Sequence, residues 1–263
     1  MKKRFFNRNT VLRLLPALYM LALSSMLNSQ VPLQNEQIRL LVWADLDAFP
    51  GVFEDPPDKI ASESRSFTPS AETDSPQETA DENHQFHILF DYAINRTKEI
   101  APFLLGGMLD GWSFEYTPYD KARHVEEYWS FEEIQPFNPS VNTIDYHDPE
   151  PRDDRLLCWI YCERTQEQQE SYRYWTSITH PHIHGQGKAS VQNGFKGIKE
   201  ACSNALKQAV RDYWRTLIKN KPKEIDGKVL LIREPRVHIK DGQYVVDLDF
   251  FLQTDRIISY SLY

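Results

Sequence analysis

Three histidines at alternate positions, His180, His182 and His184, form the most metal-like arrangement in this 263-residue chain. On an extended strand His182 and His184 project to one face, where two imidazoles can share an ion. A catalytic metal centre needs a further ligand and an acid/base group. Metal hydrolases with His-x-His on a first barrel strand need a downstream (β/α) barrel, which this chain cannot build. Cupin-like use needs a nearby Glu, and residues 185–193 contain none. The competing reading is a polar edge-strand face carrying exposed imidazoles. Asp45-Leu-Asp47, after an apolar run, is where phosphoryl-transfer enzymes place a nucleophile, but the long βα repetition of those folds is absent; strand-end capping is the alternative. Glu126-Glu127 and Glu132-Glu133 contain the carboxylates for acid/base work, yet nothing in the sequence fixes their separation, and they read as solvated surface. No Ser-centred elbow, P-loop or dinucleotide fingerprint occurs. The sequence therefore assigns no catalytic residue, no metal ligand and no cofactor.

A fourth pattern concerns binding. Lys207, Arg211, Arg215 and Lys219 recur every four residues, which on a helix makes a slowly rotating basic stripe opposite the apolar face. Residues 188–240 carry a net charge of +8, whereas 84–187 carry −9. Two such halves can attract each other, or the stripe can meet an anionic partner such as wall polymer, lipid head groups or an acidic protein surface. The whole chain stands at −8. That balance lacks the electrostatic footprint of a nucleic-acid binder.

The elements that would position these groups follow from composition. Residues 1–30 combine five bases and no acid with an apolar run over 14–23 and then small or polar residues, the layout of an export signal. Even extended to Leu27 the apolar run is 14 residues, against the roughly 20 of a membrane-crossing helix. No other segment is apolar enough to span, so no transmembrane span is expected once the signal is removed. Outside the cytosol one disulfide among Cys158, Cys162 and Cys202 is possible. The first two lie about 13 Å apart on a strand, so a bridge would use Cys202; the alternative is three small buried hydrophobes.

The expected layout is a signal (1–30), a strand-containing segment (31–53), a disordered acidic linker (54–83, net −7), an aromatic-rich α+β region (84–180) and a βαβββ domain (181–263). Within these, strands are expected at 37–43, 112–116, 156–163, 184–191, 228–233, 237–240 and 243–253, the last two as a hairpin around Asp241-Gly242. Helices are expected at 88–108, broken or kinked at Pro102 and ended by Gly106-Gly107, at 166–178, and from Asn193 or Gly194 to about Lys219. Asp226-Gly227 reads as a turn, and 120–153 as irregular because prolines interrupt it. The fold class is α+β, an antiparallel sheet backed by one helix.

Gly185-Gln-Gly187-Lys-Ala189-Ser-Val191, followed by a helix with Ala201, Ala205 and Ala209 and then three strands, resembles the N-terminal domain of the flagellar T-ring assembly protein and related small exported lipoproteins. The resemblance covers about 183–253. It implies a non-enzymatic envelope or flagellum-associated protein; no second module of that family follows within the 263 residues. Residues 31–180 resemble uncharacterised spirochaetal exported proteins. The expected function is thus an exported, non-enzymatic protein of the periplasm or cell envelope, binding an envelope protein or anionic envelope polymer through Lys207, Arg211, Arg215 and Lys219. A metal-binding protein or metal-dependent enzyme using His180, His182 and His184 is the alternative.

Overall fold

In the computed structural model, β1 (Gln37–Asp45) alternates between buried Ile38, Leu40, Val42 and Ala44 and a more exposed face. It pairs antiparallel with β5 (Arg155–Glu163), which pairs in turn with β4 (Ile144–Arg152), giving a three-stranded sheet with β5 in the centre. Leu156, Cys158, Ile160 and Cys162 of β5 point into the core, and the central position explains why this strand is apolar on both faces. The structure describes residues 36–50 and 85–260; the expected signal at 1–30 and acidic linker at 54–83 lie outside the described residues.

The second sheet has six strands in the order β3-β2-β7-β9-β6, with β8 also paired to β9. Its members are β2 (Trp112–Thr117), β3 (Tyr128–Glu133), β6 (His182–Ser190), β7 (Glu224–Leu231), β8 (Arg236–Lys240) and β9 (Gln243–Ile258). All pairings are antiparallel. The longer helices among the described residues are α1 (Asp91–Leu109), α2 (Gln166–Trp175) and α3 (Gly194–Leu217). The chain is therefore α+β, and its last 80 residues follow the β-α-β-β-β order. The described residues belong to one compact unit, Asn35–Tyr263.

Helix α1 is buried on nearly every side, because it contacts β1 and β5 of one sheet and β7 of the other, beside α3. It runs undivided through Pro102, correcting the expected division there, and ends at Leu109, one residue from the expected bound. Gly107 is interior for a packing reason: a Cβ there would stand 2.6 Å from the Trp112 indole. Two further expectations are corrected. Residues 120–153 contain β3 and β4; Pro149 and Pro151 are accommodated on β4 because it is an edge strand with a bulge between His147 and Glu150. Asp226 and Gly227 lie inside β7 at a bulge, where the glycine leaves room for the Phe114 ring. The Asp241-Gly242 hairpin forms with φ of 53° and 70°, the positive pair that a type I′ turn needs.

Helix α3 holds both ends of the large sheet. Toward β6, Asn204 Nδ2 donates to the Lys188 carbonyl at 3.0 Å, and the Gln186 N–H donates to Gln208 Oε1 at 3.2 Å. Toward β3, Trp129 Nε1 donates to Ser203 Oγ at 2.8 Å, and Lys199 pairs with Glu133 at 3.1 Å. Strands β3 and β6 are the two ends of the strand order, so one helix spans between them. Side chains that occupy edge-strand backbone groups in this way blunt further strand addition. Among the described residues, no helix is long and apolar enough to cross a membrane.

Candidate functional site

The four-residue spacing of the basic stripe is realised on α3, but the four cations do different things. Lys207 lies beside the β3 end of the sheet and pairs with Glu127 at 3.4 Å. The same carboxylate accepts a hydrogen bond from the Tyr116 hydroxyl at 3.2 Å. Here, as at Lys199 and Glu133, the basic and acidic segments attract each other within the fold. Beyond Lys207 the helix outruns β3, and Arg211, Arg215 and the adjoining Lys219 are exposed with no ion pair among the described residues.

Those three cations border a groove of about 750 Å³. Its walls include Tyr116, Tyr119, Trp214 and Ile218, with Lys221 adding a cation that the spacing argument missed. Lys221 Nζ donates to the Tyr119 carbonyl at 2.8 Å, fixing the backbone of a tyrosine that is 48% exposed. A second recess of about 360 Å³, lined by Lys207, Arg211 and Arg215, adjoins it along the helix. Glu127 and Asp212 are the acids lining these two spaces, against five bases. Burial first, and Glu127 second, push the Tyr116 hydroxyl up to about 12, while the charges of Arg211 and Arg215 oppose that rise. Their field thus reaches across the groove. The arrangement can hold an anion and cover part of it with apolar surface; it brings together no nucleophile and base.

The three histidines are dispersed among different partners. His180 is buried, with Nδ1 at 3.1 Å from Ser177 Oγ and its ring against Tyr174 and Trp175. His182 meets the Phe251 ring edge-on, 4.5 Å between centroids. His184 Nδ1 lies 3.1 Å from Asp249 Oδ1, and Arg233 holds the other oxygen of that carboxylate at 2.6 Å. Burial would raise the Asp249 carboxyl, but the Arg233 hydrogen bond and charge, with a smaller share from His184, hold it below its ordinary range. Among the described residues no three His, Cys, Asp or Glu side chains converge as a metal site. Cys158, Cys162 and Cys202 are free and buried, and burial pushes each thiol up to about 12. Such thiols are poor nucleophiles at neutral pH.

Asp45 ends β1 while Asp47 is exposed. Asp45 borders a separate, smaller cavity of about 30 Å³, together with Tyr92, Arg96 and Tyr244, room for about one water. Arg96 is buried there, paired with Glu99 at 2.7 Å and donating to the Tyr92 hydroxyl at 3.3 Å. Burial raises the Asp45 carboxyl from 3.8 to about 6, with Arg155 opposing and Asp154 reinforcing the rise. The fold therefore takes up a proton between those values. Its stabilisation by the neutral acid is complete below 3.8 and is lost as the pH rises through about 6. Asp45→Asn is expected to raise Tm near about pH 7 and to leave it unchanged near about pH 3.5. Differential scanning fluorimetry across that window checks this; parallel wild-type and variant curves would remove Asp45 as the titrating group.

A protein-family model matches residues 25–260, a span that includes every described residue. An uncharacterised protein of Treponema pallidum (strain Nichols) is 28% identical over 166 residues, which are 63% of this chain and 70% of the relative. The chain belongs to this uncharacterised spirochaetal family. No solved structure matches it. The groove beside α3 and the Asp45 cavity both lie within the span matched by the family model.

Proposed function

We propose that this member of the spirochaetal family is an exported, non-enzymatic protein of the periplasm or cell envelope that holds an anionic envelope partner in the groove beside α3. One observation carries the reading. Arg211, Arg215 and Lys219 line a groove with no carboxylate partner among the described residues, although the same helix uses Lys199 and Lys207 to pair with acids. Unpaired cations on an acidic protein are a local exception to its field, and an anionic ligand is attracted to that exception. Export rests on the basic, then apolar, then small-residue order of 1–30. A flagellum-associated place in the envelope is the finer reading; its support is the small-residue contact of Gly185 and Gly187 with Ala201, Ala205 and Ala209.

The test combines binding with compartment. The triple variant Arg211→Glu, Arg215→Glu, Lys219→Glu is expected to lose at least about tenfold of its co-sedimentation with envelope fractions at low salt, and the wild type to lose the same on raising salt. Unchanged co-sedimentation by a folded variant would end the binding reading. Recovery of unprocessed protein from the soluble cytosol would end the export reading.

A further inference from the structure

The groove beside α3 pairs its cations with flat apolar surfaces, and that combination narrows the ligand. A bare polyanion is satisfied by charge alone. Here Tyr119, Pro118, Pro222, Ile218 and Trp214 line the same space as Arg211, Arg215, Lys219 and Lys221. The Tyr119 ring is 48% exposed, while its backbone is held by Lys221. An exposed aromatic ring on a fixed backbone costs little further ordering when a flat ligand covers it. The groove's volume of about 750 Å³ falls among those of small-molecule sites rather than of extended polymer tracks. Trp214 adds a second ring, whose Nε1 is buried without a hydrogen-bond partner.

Resting on the anion-binding reading, we propose that the groove takes an acidic oligosaccharide. A sugar ring lies against Tyr119, and its carboxylate, sulfate or phosphate groups meet Arg211, Arg215 and Lys219. Guanidinium groups suit this role because they present paired donors to planar or tetrahedral oxyanions. The sugar supplies an apolar C–H face and a hydroxylated rim, matching a groove with one aromatic side and one polar side. A single-stranded nucleic acid also combines rings and charge. It is disfavoured because the whole chain stands at −8, without the overall positive charge of a nucleic-acid binder.

Titration calorimetry and tryptophan fluorescence on the purified chain distinguish these ligands. The probes are a sulfated uronic-acid tetrasaccharide, a neutral tetrasaccharide, inorganic polyphosphate and a 12-nucleotide single-stranded DNA. The acidic tetrasaccharide is expected to bind, the neutral one not. Tyr119→Ala is expected to weaken the tetrasaccharide about tenfold while leaving polyphosphate affinity unchanged. Arg215→Glu is expected to weaken both. Because Tyr119 and Arg215 are exposed, both variants should keep the wild-type Tm. An unchanged tetrasaccharide affinity in Tyr119→Ala would overturn the saccharide assignment. So would polyphosphate or DNA binding as tightly as the sugar. Arg215-dependent polyphosphate binding would then leave the broader anion reading standing. Loss of arginine dependence for every probe would remove both.

Discussion

Gly187→Ala is expected to yield no stably folded protein, or to cost more than about 3 kcal/mol, the upper range for overpacking a core. A Cβ on Gly187 would collide with the Ala201 carbonyl oxygen and the Ala205 backbone; one on Gly185 would meet the Ala205 carbonyl in the same way. These obstacles are main-chain atoms in the middle of α3, so no rotamer change relieves them. The helix would have to lift from β6, losing the Asn204 and Gln208 bonds to that strand and the burial of Ala201, Ala205 and Ala209. The neighbouring Lys188 faces solvent, and Lys188→Ala should stay within about 0.5 kcal/mol of wild type. Urea denaturation of both variants checks this. A Gly187→Ala midpoint close to that of Lys188→Ala would show that helix and strand are farther apart than described.

Trp112 gives the second large effect, and a distinction between two substitutions. Its side chain is fully buried, stacked on Phe103 at 5.0 Å and edge-on to Phe131 at 5.1 Å and Phe250 at 6.0 Å. Trp112→Ala is expected to cost about 3–5 kcal/mol, the range for emptying a large aromatic site. The indole N–H, however, has no hydrogen-bond partner. Trp112→Phe removes that unsatisfied donor while keeping a ring among rings, which offsets part of the lost contact. It should cost less than about half of the alanine value. Equal losses for the two variants would mean that the N–H is satisfied in solution, by a water or by a shift of the ring.

Local pattern was enough to place α3, β5, β6 and the β8–β9 hairpin: a helical stripe in α3, an all-apolar run in β5, and a turn signal between β8 and β9. In β9 the alternation of Val246, Leu248, Phe250 and Leu252 with Asp247 and Asp249 is the alternation of the two sheet faces. What local pattern could not supply was partnership. Pro149 and Pro151 look like strand breakers until β4 is known to be an edge. Asp226-Gly227 looks like a turn until Phe114 is placed against it. The pairing of β2 with β7 joins residues more than a hundred positions apart, and no window contains both. The groove was half legible. Arg211, Arg215 and Lys219 declare themselves by spacing, whereas Tyr116 and Tyr119 reach the same place only through that long-range pairing. Acidic residues read as idle surface proved divided: Glu127 and Glu133 pair with lysines of α3, while Glu126 and Glu132 stay exposed.

The position of β9 sets an order of events for a chain that emerges from its N-terminus during synthesis. It is the last described strand, yet it pairs with β6, β7 and β8. Until residues 243–258 emerge, those three strands have no shared neighbour, and β7 is paired on its β2 side alone. Contacts this distant along the chain close slowly, and waiting strands invite pairing with other molecules. Closure of the large sheet therefore waits on residues 243–258, whichever of its other strands has formed before them.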